Sequence, residues 1–182
     1  MNKIIEIALS KVGVKESPPN SNKTEFGVWF GLNGVAWCGI FVSWVCFMAG
    51  VPLGTIDYTK GFAGCPYALK HFTKNNEVIL VINNKTQITA ALLALLHPGD
   101  IVIVDWNGDG MPDHTLFFAR NIDGIHFETI EGNTGYISST DPAAIKKANS
   151  DGGEVLNRTD RRYIQGNAVW YFIRPKAYLK LV

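Results

Sequence analysis

The sequence predicts an α+β fold in a single domain spanning residues 1–182. Three observations predict it. Helical periodicity fills the first half of the chain, while short strand-like runs fill the second. The length, 182 residues, suits one domain. Hydrophobic residues make up 47% against 18% charged, enough to bury a core. That balance excludes a disordered tail or a low-complexity segment.

Taken in order, Ile4, Ile5, Ala8 and Val12 share one face of a helix over 3–12, which Gly13 ends. Pro18-Pro19-Asn20-Ser21-Asn22 is a loop, and 23–30 forms a short helix. After the loop 31–35, Cys38 to Ala49 is a helix apolar on every side, closed by Gly50 and Pro52. Helices follow over 62–72 and 89–96, the latter stopped by His97-Pro98-Gly99. Strands are expected at 101–104, 114–120, 125–131, 154–157 and 168–174, with a helix inserted at 141–148. Helices first and strands later imply an antiparallel sheet.

Several function classes are excluded early. Lys plus Arg number 17 and Asp plus Glu 16, a net charge of +1. No field draws such a chain onto nucleic acid or an anionic membrane. Glu6 and Lys11 interrupt any apolar signal core, so no secretory signal is expected. The uncharged stretch from Phe26 to Ile56 carries too many Gly and Pro residues for a membrane span of about 20 residues. Three cysteines are too few for a disulfide framework. On one helix, Cys38 and Cys46 stand roughly 12 Å apart and cannot pair.

The chemistry centres on Cys38. A helix start lowers a thiol pKa and offers N–H groups to an oxyanion. His114 opens a strand, and Asn121-Ile122-Asp123-Gly124 is a turn signal between it and the next. A two-residue Asp123-Gly124 turn sets His114 opposite Asn133. A four-residue turn over 121–124 sets it opposite Glu131. Residues two apart share a face, so either register gathers His114, Glu131 and Asn133. The set reads as thiolate nucleophile, imidazole acid–base, and Glu131 or Asn133 as the group that orients the ring.

These residues fall in a longer pattern. Gly13 to Pro18, Asn20-Ser21-Asn22, Trp37-Cys38-Gly39-Ile40-Phe41-Val42-Ser43-Trp44, Pro98-Gly99-Asp100-Ile101-Val102, Asp113-His114, Glu131-Gly132-Asn133-Thr134 and Phe172-Ile173-Arg174-Pro175 occur in order. Together they resemble the CHAP domain, the cysteine, histidine-dependent amidohydrolase/peptidase family, over almost the whole chain. The resemblance implies a papain-like fold of NlpC/P60 type, with N-terminal helices packed on a central antiparallel sheet. It implies an amidase or endopeptidase of peptidoglycan, with Cys38 as nucleophile, His114 as base, Glu131 as orienting acid and Asn133 as the accompanying amide. Such domains are common in bacteriophage endolysins, tail-associated lysins and bacterial wall hydrolases. The expected partner is the bacterial cell wall, met by a monomer after release through a holin, a phage particle or a secretion machine. Two rivals stay open: an inactive structural or binding module of a phage particle, and an amidase of small peptide conjugates. Thr115-Leu116-Phe117-Phe118 departs from the family's Val-Gly-like step and narrows the expected cleft floor.

Other signals are weighed beside this set. Asp105 to Asp113 places oxygen ligands at alternate positions, as a calcium loop does, but Leu116 stands where a closing Glu is needed. A hairpin turn is the competing reading, and no cofactor is required by the chemistry. Trp37 and Trp106 are candidate substrate-groove residues; Trp44 and Trp170 read as core. Arg158, Arg161 and Arg162 read as a solvated basic cluster, and Cys46 and Cys65 as structural thiols.

Overall fold

A computed structural model describes residues 2–136 and 139–181. Six short α-helices run α1 (Lys3–Leu9), α2 (Glu25–Phe30), α3 (Cys38–Met48), α4 (Cys65–Lys74), α5 (Ala90–Leu93) and α6 (Pro142–Ser150). Six strands run β1 (Val78–Ile82), β2 (Ile101–Asp105), β3 (His114–Asn121), β4 (His126–Thr134), β5 (Glu154–Arg162) and β6 (Val169–Ile173). The strands form one sheet in the order β1-β6-β2-β3-β4-β5, with every neighbouring pair antiparallel.

This corrects the expected fold class. The molecule is a strand-rich, six-stranded antiparallel sheet with a few short helices, and the papain-like arrangement of N-terminal helices on a central sheet does not describe it. Three differences in the elements account for the gap. The run Val78-Ile79-Leu80-Val81-Ile82 lacks an apolar–polar alternation, yet it pairs with β6 as an edge strand. The fifth strand continues past Asn157 to Arg162. Conversely, the helix expected over 89–96 is a single turn, capped by Thr89 Oγ1 accepting from Leu92 N–H.

Both sheet faces are covered, which is why β2 is buried at all five positions. Ile101, Ile103, Phe117 and Ile130 join the helices in one core; Val102, Val104, Leu116, Phe118, Trp170 and Phe172 form the other. Each fully buried large apolar side chain contributes about 1.5–3 kcal/mol. α3 is buried over its first nine residues, Cys38 to Cys46, so its uniformly apolar sequence reflects contacts on every side. Among the described residues no helix is long and apolar enough to cross a membrane.

The β3–β4 ladder pairs Phe117 with Ile130 and Phe118 with Thr129, then slips by one to pair Arg120 with Glu128. A bulge at Ala119 therefore links a longer turn to a register that, extended, sets His114 opposite Asn133. Both expected registers assumed an unbroken ladder.

Candidate active site

Cys38 is the first residue of α3, and its N-cap residue Trp37 makes no side-chain cap. The helix start thus keeps N–H groups without intrahelical partners. Gly132 of β4 lets this helix lie close to the sheet. A Cβ there would sit 2.7 Å from the Phe41 side chain. The strand that carries the acid and the helix that carries the sulfur are in contact through that missing methyl.

His114 opens β3, paired with Val104 of β2, and is fully buried. Its Nε2 lies 3.1 Å from Glu131 Oε2. Nδ1 is buried and has no hydrogen-bond partner at normal geometry. With Nε2 engaged, Nδ1 is the nitrogen left for Cys38, whose sulfur acts on the ring.

Glu131 is fully buried and receives three further hydrogen bonds. Arg161 Nε donates to Oε1 at 2.7 Å and Nη2 to Oε2 at 2.5 Å, a two-pronged grip. Thr129 Oγ1 donates to Oε1 at 2.6 Å. Arg161 is itself buried; its Nη1 donates to Asn149 Oδ1 at 3.0 Å, and its guanidinium lies 4.8 Å from the Trp106 ring centre. The side chains form a line: Cys38, His114, Glu131, Arg161.

The electrostatics follow this line. Burial alone would raise Glu131, but the Arg161 charge and hydrogen bonds, with His114 behind them, hold it well below the carboxylate range. Burial would lower His114; the influence of the nearby Cys38 sulfur and the Glu131 carboxylate outweighs it and raises the ring. Cys38 is held well below the ordinary thiol range, first by a hydrogen bond from Cys65, against burial, and then by His114 and the Thr115 backbone. Cys65 moves the opposite way, raised first by its hydrogen bond to Cys38 and then by burial and the Cys38 charge. The Cys38 and His114 shifts run in the same sense, toward charge on the sulfur and charge on the ring.

Of the other expected site residues, Asn133 and Trp37 are engaged elsewhere, and Trp106 lies beside the His114 ring. Asn133 has φ +59 and turns out of the ladder. Its Nδ2 donates to Asp151 Oδ1 at 3.2 Å and its Oδ1 accepts from Gly153 N–H, so it fastens the turn after α6 and leaves His114 to Glu131. Trp37 is corrected from groove to core: it is fully buried, stacks on Phe26 and donates Nε1–H to Glu16. Trp106 does flank the site, its ring 6.4 Å from that of His114 and nearly parallel to it. With Ile145, Asn149 and Gln165 it lines a cavity of about 360 Å³. Thr115 is buried and donates its hydroxyl to Val102 O, so it forms no cleft floor. Cys38 itself is only 3% exposed.

Two participants escaped sequence reasoning. Arg161 is the buried counterion, not part of a solvated cluster; the signal for it was Glu131, since a buried carboxylate requires a cation. Cys65 Sγ lies 3.9 Å from Cys38 Sγ. In the Asp105–Asp113 loop the carboxylates are engaged by the loop itself. Asp105 accepts from Gly108 and Gly110 N–H, Asp109 from Met111 N–H, and Asp113 from Trp106 N–H. Among the described residues no group of three or more His, Cys, Asp or Glu is placed to hold a metal ion.

No protein-family model matches the chain, and no curated protein matches it.

Proposed function

We propose that the chain is a cysteine amidohydrolase of bacterial peptidoglycan. It acts either at the amide joining sugar to stem peptide or at an amide within the stem or cross-bridge. The line Cys38–His114–Glu131–Arg161 is the observation that carries this reading. The Cys38 thiolate attacks the amide carbonyl, and the free N–H groups at the start of α3 receive the developing oxyanion. The His114 imidazolium gives its proton to the leaving amine as the C–N bond breaks. It then takes a proton from the water that hydrolyses the thioester. Glu131 holds the ring by Nε2, and Arg161 keeps Glu131 ionised. The resemblance to the CHAP pattern supplies the substrate class, and the release routes that such enzymes use apply equally here.

A second reading has one observation in its favour. The near-complete cover over Cys38 suits an inactive module that keeps the cleft but admits no substrate. Digestion of purified sacculi followed by mass spectrometry separates the two. New amine and carboxyl termini with the native chain, absent with Cys38→Ala of unchanged circular dichroism, support the hydrolase. Equal yields from both proteins remove Cys38 as nucleophile, and no new termini from either favour the inactive module.

A further inference from the structure

The proposed reaction leaves one buried sulfur beside the nucleophile unused. Cys65 is the first residue of α4 as Cys38 is of α3, and both cysteines are free. Their sulfurs lie 3.9 Å apart. A disulfide bond is about 2.05 Å long, so closing the gap needs a movement of roughly 2 Å.

The chain leading to Cys65 is fastened onto α3 through Ser43 and braced within itself by Asp57. Ser43 Oγ donates to Phe62 O at 3.1 Å and accepts from Phe62 N–H at 3.0 Å. Asp57 accepts from Ala63 N–H at 3.1 Å and from Gly64 N–H at 2.9 Å. Gly39 permits the approach, since a Cβ there would meet Ala63 O and the Phe62 ring at 2.8 Å. The residue after the nucleophile thus has no side chain where the Cys65 segment crosses it. Cys46 lacks such a setting: its sulfur faces Tyr178 Oη at 3.6 Å, and burial pushes its thiol up to about 12.

We propose that Cys65 is the resolving thiol of a redox site, in which an oxidant of the peroxide class joins Cys38 and Cys65 in a disulfide that thiols reverse. The inference rests on Cys38 being the reactive thiolate of the proposed hydrolase. The Cys38 thiolate attacks peroxide, an S–O bond forms as the O–O bond breaks, and hydroxide leaves with the proton of the His114 imidazolium as water. The Cys65 sulfur then attacks the sulfenic acid. An S–S bond forms, the S–O bond breaks, and a second water leaves with the Cys65 proton. Two thiols are oxidised and one peroxide is reduced. The device removes the nucleophile without destroying it, because a nearby thiol intercepts the sulfenic acid before further oxidation.

The test uses the full chain, reduced and then exposed to hydrogen peroxide, denatured and alkylated, and digested without reductant. The expected map contains the Cys38 peptide joined to the Cys65 peptide, two hydrogens lighter than their sum. Cys46 is alkylated, and dithiothreitol returns both thiols. In Cys65→Ser the same exposure carries Cys38 to sulfinic acid, which dithiothreitol does not reverse. A wild-type map showing Cys38 as sulfinic acid beside alkylated Cys65, or both alkylated, overturns the proposal. It does so even if the variant fails to fold. The map reads sulfur chemistry alone, so failure to digest sacculi sinks the hydrolase reading without deciding this one.

Discussion

Arg161 grips Glu131 through two hydrogen bonds, 2.7 and 2.5 Å long, with both side chains out of reach of water. Removing one partner of a buried pair leaves an uncompensated charge, at a cost of about 3–5 kcal/mol. Arg161→Met should lose stability in this range by urea denaturation. Arg161→Lys, which keeps the charge and forfeits the fork, should lose less. A loss under about 1 kcal/mol in the Met variant would contradict a buried counterion.

Glu131→Gln takes the anion away from the His114 ring. Activity on sacculi should fall by about 10²–10⁴-fold, the range for losing an acid–base partner or its orienting group. Glu131 also sets an acid limit on stability. Its folded pKa is depressed, so its contribution is present above the unfolded value of about 4.3 and is lost as pH falls toward the folded value. Melting temperature should therefore hold from neutral pH to about 5 and fall below about 4. The Gln variant should lose that slope.

Alkylation kinetics report the sulfur without any substrate. Cys38 is depressed and Cys46 is pushed up to about 12, so iodoacetamide at neutral pH should label Cys38 first and leave Cys46 unlabelled. Mass mapping over time checks this. Cys46 reacting as fast as Cys38 would remove the thiolate from the site. Glu131→Gln should slow the Cys38 reaction, because the ring that supports the thiolate loses its own support.

Gly132→Ala forces a methyl to within 2.7 Å of Phe41. Overpacking of this kind costs typically about 1–3 kcal/mol. Because the clash lies between the acid's strand and the nucleophile's helix, Cys38 labelling should slow as well. Unchanged denaturation and unchanged labelling would show that the contact is slack.

A chelator should leave the melting temperature unaltered, since the Asp105, Asp109 and Asp113 carboxylates are committed to N–H groups of their own loop. A fall in melting temperature that calcium restores would revive the calcium loop.

The helix start at Cys38, the strand start at His114 and the shared face of Glu131 are legible in the sequence because each is a local boundary or a parity of positions. Arg161 is not. The buried residues of β5 are Val155, Arg158 and Arg161, every third position, since bulges break the ladder with β4. Parity counted from Val155 keeps Arg161 on the inward face, but the strand expected from the sequence stops at Asn157 and never reaches it. Cys65 is equally hidden, because its place beside Cys38 depends on hydrogen bonds that Ser43 and Asp57 accept from Phe62 and Gly64 N–H, which leave no trace in spacing. Asn133 has the parity its position demands and is still lost to the site, since its positive φ rotates it away.

The guanidinium that completes the line enters the chain thirty positions after the carboxylate it neutralises. A nascent polypeptide still on the ribosome holds the sulfur, the imidazole and the acid well before β5 emerges. Until then Glu131 has no counterion, and the edge of β4 is open. Assembly of the complete line is thereby deferred until β5 has been made, and a fragment stopping short of it lacks the guanidinium.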